Sequence, residues 1–330
     1  MSFFAVLFAL LIEQLKPLPR GNVVHESLTA WMRWTRLNFD AGRDAHAWVV
    51  WGVTVLLPAL LAWSVWLLLD HFSLLLGLAW NVAVLYVTLG FRQFSHYFTD
   101  IRDALERAEE DRARRLLAQW RHVDTSDLPR AELLRQVIEH SLLAAHRHVF
   151  GVFFWFVVLS TLGFGPAGAV LYRMAEFAGR YWAFKNRSDG VPATDRVIQL
   201  SGRLFALLDH VPARLTAFGF AVVGNFEDAV NCWRRDAVLW ESSNDGVILA
   251  SAAGAIGVQL GGREAPDGRV ESARPSFEDS AMPVELASEG STTGAPPVLA
   301  HLRSVVGLVW RSVVLWMLLL SLLSLANLVG

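Results

Sequence analysis

The chain has 330 residues, of which 54% are apolar and 18% charged, and its formal net charge is −2. Soluble globular domains carry about 25% charged residues, so this balance points away from that class, and it supplies no overall basic field for nucleic acid. Cys232 is the only cysteine, which excludes an intramolecular disulfide and a cysteine-based zinc cluster.

Ser2–Ile12 is apolar but too short to span a bilayer, and it reads as an interfacial segment. It reads as no cleavable signal peptide, because no basic region precedes it and Glu13 follows it. Trp48–Leu69 is an uncharged span with a kink expected at Pro58; Asp70 and His71 connect it to a second span, Phe72–Gly90, whose one strongly polar residue is Asn81. Trp48, Trp51, Trp66 and Trp310 lie near span ends, where interfacial aromatics belong. Phe98–Arg121 predicts one charged soluble helix, with Ser126 or Asp127 capping the next, which runs from Pro129 to about His148.

Val149–Leu171 is long enough to span, but Gly163-Phe-Gly-Pro-Ala-Gly168 breaks it. Arginines follow it, so a re-entrant pair of half-helices is expected, since broken helices are tolerated at membrane depth when packed in protein; the alternative is an ordinary span with an unusual, basic outer loop. Leu204–Val223 carries Asp209, His210 and Arg214 and is expected to break at Pro212, as an amphipathic helix near the surface rather than a clean span. Gly261–Pro297 reads as a long flexible loop leading to a last span, Val305–Val329, in which Arg311 snorkels. Lys16, Arg20, Arg33, Arg36 and Arg43 precede the hairpin and ten arginines lie between Arg92 and Arg147, so the positive-inside bias places both stretches in the cytoplasm.

The fold expected is an all-α polytopic integral membrane protein with a re-entrant broken helix and cytoplasmic helices. Its segments are an N-terminal interfacial part (1–47), a transmembrane hairpin (48–90), cytoplasmic helices (91–148), a core with broken or re-entrant helices (149–262), a flexible linker (263–300) and a C-terminal transmembrane helix (301–330).

Three groups of residues invite chemistry. His140, His146 and His148 cluster, but His146 and His148 are two apart and face different sides of a helix, so no metal site is assigned. Gly254–Gly262 is glycine-rich like a phosphate cradle but lacks the lysine and hydroxyl of a P-loop; close helix packing is the alternative. Arg173, Glu176, Asp209 and Arg214 are charges in or beside apolar stretches, which makes them functional candidates or paired structural charges.

Several stretches, in order, resemble the CobD/CbiB family of cobalamin-biosynthesis membrane proteins and the related AmpE proteins. Asp124-Thr-Ser-Asp-Leu128 is similar to the family's R-D-T-S-x-L. Phe154-Trp155, Gly165-Pro-Ala-Gly-Ala169 and Tyr172-Arg173 resemble F-W…G-P-x-G-A-x-x-Y-R. Asp209 with Val211-Pro-Ala-Arg-Leu-Thr216 resembles D-x-x-P-A-R-L-T at slightly different spacing. Arg235-Asp-Ala237, Ser242-Ser-Asn-Asp-Gly246 and Gly254–Gly262 resemble R-D-A, S-P-N-x-G and G-A-x-G-V-x-L-G-G.

The resemblance implies attachment of aminopropanol to a corrinoid carboxylate by ATP-type amide formation, with arginines holding anionic groups. It also marks departures. Leu143–His148 replaces the synthase motif E-N-T-x-D-G, Glu176–Gly179 replaces a second N-T-x-D run, and Leu249 stands for a glutamate. ATP and magnesium belong here only if synthase activity is retained, and no catalytic residue is assigned. The ligand set expected is Arg173, Asp209, Arg214, Ser242, Asn244 and Gly246. The alternative is an AmpE-like, non-catalytic membrane sensor, to which Leu7–Leu15 and Arg180-Tyr-Trp-Ala183 bear the closer likeness. Expected partners are the lipid bilayer and a corrinoid or other anionic small molecule, not nucleic acid, with a homo-oligomer left open. The expected location is a bacterial-type inner membrane.

Overall fold

The computed structural model describes residues 2–15, 23–40, 44–121, 125–126, 128–184, 193–261, 263–264, 270–271 and 291–329. Lys16, Arg20, Arg43, Asp124, Asp127, Lys185, Arg187, Gly262 and most of the expected linker lie outside these residues. Among the described residues the fold is all-α apart from one two-stranded ribbon, β1 (Arg263–Glu264) against β2 (Val270–Glu271). Among the described residues four helical runs are long and apolar enough to cross a membrane: Ala45–Phe72, Arg130–Thr161, Asp195–Val223 and Leu299–Ala326. The chain is a polytopic membrane protein.

It divides into two compact units. The first comprises Met1–Gln93, His146–Pro212 and Met317–Gly330; the second comprises Phe94–Ala145 and Ala213–Trp316.

In the first unit, α1 (Ser2–Leu15), α2 (Val23–Phe39), α3 (Asp44–Phe72) and α4 (Leu74–Thr88) lead the chain. The second expected span is shortened at its start, where Ser73 caps α4 by accepting from the Leu75 amide at 3.3 Å. Leu56, Leu57, Leu60, Leu61, Leu67 and Leu68 stay exposed on α3, an apolar surface suited to lipid. The opposite side of α3 buries Val50 and Val55 against Met32 of α2, with Ala178 and Trp182 of α9 (Ala167–Phe184) in the same cluster.

Two prolines lie inside long helices of this unit, Pro58 in α3 and Pro212 in α10 (Asp195–Val223), and both helices continue through them. A proline has no N–H, so the carbonyl four residues earlier loses its helical donor. Each of those carbonyls accepts from an indole on another helix. Trp31 Nε1 donates to the Thr54 carbonyl at 3.3 Å, and Trp155 Nε1 donates to the Leu208 carbonyl at 3.1 Å. This corrects the break expected at Pro212. Satisfying the stranded carbonyl lets α10 run unbroken over 29 residues as a span-length helix.

The break expected at Gly163–Gly168 is present. Gly163 (φ 86°) and Gly165 (φ 53°) adopt left-handed backbone conformations between α8 (Gly151–Thr161) and α9. Trp63 of α3 donates to the Gly163 carbonyl at 3.2 Å. Past the turn α9 packs along α8, and a Cβ on Gly168 would strike the Trp155 carbonyl, so glycine sets this close crossing.

In the second unit, the single helix expected over Phe98–Arg121 is two helices, α5 (Phe91–Glu106) and α6 (Glu110–Arg121). Ala108 takes a left-handed φ of 59°, the Glu109 amide donates to the Ala104 carbonyl at 2.8 Å, and the Ala108 amide donates to Leu105 at 3.2 Å. This is a Schellman stop made without glycine, so its usual mark is missing from the sequence. Next come α7 (Arg130–Ala145), α11 (Phe226–Asp236), a 3₁₀ turn (Ala237–Leu239), α12 (Ser243–Ile256) and α13 (Leu299–Val329). Gly254 lets α12 approach α11 so closely that a Cβ would meet the Asp228 carbonyl, so helix packing accounts for that glycine.

The far end of the expected flexible loop is tied down. Gln259 N donates to Ala295 O at 2.8 Å, Thr292 N to Leu260 O at 2.7 Å, and Leu260 N to Thr292 Oγ1 at 2.8 Å. Arg311 donates to the carbonyl of Val223, the last residue of α10, at 3.0 Å.

The indole donors give a direct test. Trp155→Phe should destabilise the protein by about 1–3 kcal/mol in detergent denaturation, the cost of a buried unsatisfied carbonyl. Adding Pro212→Ala, which returns the helical donor to Leu208, should recover much of that loss; equal stability of the single and double variants would contradict it.

Candidate functional site

The polar groups of the first unit converge where the chain leaves regular helix. Residues His146–Phe150 form a π-helical turn between α7 and α8. Such turns widen the helix by one residue and redirect the side chains around it. This one lies over the end of the Leu143–His148 stretch that departs from the synthase pattern.

His146 Nε2 lies 2.8 Å from Asp209 Oδ1, and the Tyr172 hydroxyl donates to the same oxygen at 2.7 Å. The Tyr172 hydroxyl and His146 Nε2 are 3.5 Å apart. A carboxylate only accepts, so His146 Nε2 carries the proton in this bond. His146 and Tyr172 are 0% exposed and Asp209 is 2% exposed, which places the whole cluster out of reach of solvent. Gly151 makes the space: a Cβ there would run into the Tyr172 ring.

One turn along α9, Arg173 NH1 donates to Glu176 Oε2 at 2.9 Å and Arg180 Nε lies 3.2 Å from Glu176 Oε1. These i,i+3 and i,i+4 spacings place one carboxylate between two guanidiniums on one helix face. Glu176 is 2% exposed, whereas Arg173 is 16% and Arg180 44% exposed, so only the cationic side opens outward.

The remaining expected ligand residues belong to the second unit. Arg214 NH1 donates to Asn244 Oδ1 at 3.1 Å. Ser242 caps α12, its Oγ accepting from the Asp245 amide at 3.3 Å, and the Gly246 amide donates to the Ser242 carbonyl at 2.8 Å. A Cβ on Gly246 would strike the Ala237 carbonyl. The S-S-N-D-G stretch therefore starts a helix and presents Asn244 to Arg214. In the same unit Arg235 grips Asp236 through two bonds at 2.6 and 2.7 Å and reaches Thr293 Oγ1 at 2.8 Å, which fastens the 291–295 segment to α11. The bond to Asp236 holds the Arg235 guanidinium above its ordinary range.

The three histidines do not assemble. His140 packs edge-on against Trp120 with ring centroids 4.4 Å apart, whereas His146 is bound to Asp209. Among the described residues no group of three His, Cys, Asp or Glu side chains is arranged to hold a metal ion. With Asp209 and Glu176 bonded as described, the donor set does not fit a divalent cation. Sequence reasoning selected Asp209 and Arg173 but missed His146 as the partner of Asp209. The only signal for that pairing is the position of His146 in the stretch that departs from the family pattern.

Removing one donor should be measurable: Tyr172→Phe should cost about 1–3 kcal/mol in chemical denaturation, as expected for a buried acceptor that loses a bond. A change within error of zero would show that the Tyr172–Asp209 contact contributes nothing.

Comparison with known proteins places these residues in a wider set. The sequence profile of the family described as CobD/Cbib protein matches residues 2–290. A cobalamin biosynthesis protein CobD from Stutzerimonas stutzeri is 34% identical over 287 residues, covering 86% of this chain and 84% of that protein. The CobD protein of Chromobacterium violaceum is 32% identical over 219 residues, covering 63% of this chain and 66% of its own length. That of a Synechocystis strain is 26% identical over 293 residues, or 84% of this chain and 78% of that protein. No solved structure matches the chain.

Proposed function

This chain belongs to the CobD/CbiB family, and from that membership we propose that it acts in cobalamin biosynthesis in a bacterial-type inner membrane, with its arginine-rich segments facing the cytoplasm. The observation that carries the proposal is the extent of the likeness: it runs through every span before α13, the broken helix and α12 rather than through one motif. The ligand is a corrinoid or another anionic small molecule. Each unit offers donors of its own, Arg173 in the first and Arg214 with Asn244 in the second, and guanidinium suits carboxylate and phosphate. Asp209 shapes its surroundings through His146 and Tyr172; Ser242 and Gly246 act by setting the start of α12.

The reaction implied by the resemblance is amide formation between an aminopropanol unit and a corrinoid carboxylate. One observation favours a second reading, an AmpE-like protein that binds without turnover. Asp209 and Glu176 already spend their charge on internal partners, and the stretches that replace the synthase motifs supply His146, Arg147 and Glu176.

Deletion of the gene should create a requirement for cobinamide when growth depends on newly made corrinoid. Unimpaired corrinoid synthesis in the deletion strain would exclude the pathway assignment. ATP-dependent amide formation by the purified protein would restore the synthase reading over the binding one.

A further inference from the structure

Four indoles of the first unit, those of Trp31, Trp63, Trp80 and Trp155, each donate to a backbone carbonyl elsewhere in the chain. Trp51 of α3 and Trp182 of α9 do not. Trp51 is 8% exposed and Trp182 0%, and the Nε1 of each is buried without a hydrogen-bond partner among the described residues. Both belong to the cluster that joins α2, α3, α9 and α10, together with Met32, Met174, Phe177 and Val197. A buried N–H without an acceptor has given up its hydration for nothing, and buried tryptophans ordinarily find a partner. Two such donors in one cluster call for oxygen that the protein does not itself supply.

The surroundings select the kind of oxygen. Water accepts two bonds but also has two to donate, and Met32, Met174, Phe177 and Val197 give its protons no strong acceptor. Its entry would exchange two unsatisfied N–H groups for two unsatisfied O–H groups. The cluster contains no charged side chain, so a carboxylate or phosphate would enter uncompensated. A carbonyl oxygen on an apolar body only accepts and carries no charge, which answers both conditions. Space for it lies one turn before Trp182. A Cβ on Gly179 would have its nearest neighbours, Phe205 Cβ and the Ser201 carbonyl, at 3.8 Å, whereas one on Gly168 would strike the Trp155 carbonyl. The contact of α9 with α10 is therefore loose where that of α9 with α8 is tight.

We infer that Trp51 and Trp182 are the donor end of a binding site for an apolar carbonyl compound taken from the membrane, either a quinone or the ester region of a diacyl lipid. Both compounds carry two carbonyl oxygens, one for each indole N–H. The apolar side chains of the cluster receive the body of the ligand. None of the residues proposed to bind the corrinoid or other anion takes part, so this site stands apart from that reading.

Replacing tryptophan by phenylalanine keeps an aromatic ring and removes the N–H. If the two indoles only fill space, that change has no ligand to affect. If they are donors, it weakens binding.

The test uses the full-length protein with isotope-labelled tryptophan in dodecyl maltoside, a detergent without a carbonyl group. Proton–nitrogen correlation spectra follow the indole N–H resonances during titration with duroquinone and, separately, with dioctanoyl phosphatidylcholine. Two resonances, those missing from Trp51→Phe and Trp182→Phe, should move saturably. Each of these substitutions should raise the half-saturating concentration by about tenfold, as the loss of one hydrogen bond does. Trp80→Phe, which removes an indole outside the cluster, should leave it unchanged. Should one of the two variants not fold, the other carries the same comparison. Saturation by duroquinone assigns a quinone, and saturation by the short-chain lipid assigns a lipid ester. If neither probe moves the two resonances, or if Trp51→Phe and Trp182→Phe bind as the wild type does, the site is overturned.

Discussion

A carboxylate enclosed by apolar helices must be matched, because an isolated buried charge is far costlier than its partners can be worth separately. Asp209 lies on α10 one residue beyond Leu208, whose carbonyl is stranded by Pro212. The same short stretch therefore carries a charge and a broken ladder bond. Both needs are met from elsewhere in the first unit: His146 and Tyr172 bind the carboxylate, and Trp155 binds the carbonyl. The π-helical turn before α8, the glycine under Tyr172 and the close crossing of α8 with α9 all serve to bring these three side chains to α10. Inside a bilayer, where water cannot substitute, such matching decides whether a helix with a proline and an aspartate can remain a helix.

The tryptophans of this chain gain a second role from that constraint. Interfacial position explains an indole near a span end, but Trp31 and Trp155 do something more specific, donating to the carbonyls that Pro58 and Pro212 leave without a helical partner. Arg311 performs the equivalent service at the end of α10 in the second unit.

Much of the architecture was legible in the sequence, for physical reasons that also explain the failures. The first and last spans stand out because a bilayer demands long uncharged runs, and the turn at Gly163–Gly168 because glycines supply left-handed backbone. Arg173 and Glu176 stand out as charges in an apolar stretch, whereas their pairing with each other and with Arg180 is seen only in the structure. By contrast, α10 reads as broken, since its repair comes from a tryptophan 53 residues away from Leu208. The stop after α5 lacks its usual glycine, and the 291–295 segment is held mostly by backbone bonds, to which composition is blind. The family resemblance picked out Asp209 but not its partner, because His146 falls on the unspecified position of the E-N-T-x-D-G pattern.

The account turns on whether the Asp209 carboxylate is spent on holding helices together. A double-mutant cycle between His146→Ala and Asp209→Asn, measured by denaturation of the purified protein, isolates that interaction. Each single change should be strongly destabilising, and the pair should show a coupling energy of about 1–3 kcal/mol, as directly bonded buried residues do. Additive losses, with coupling near zero, would contradict the account and return Asp209 to the pool of groups available for chemistry.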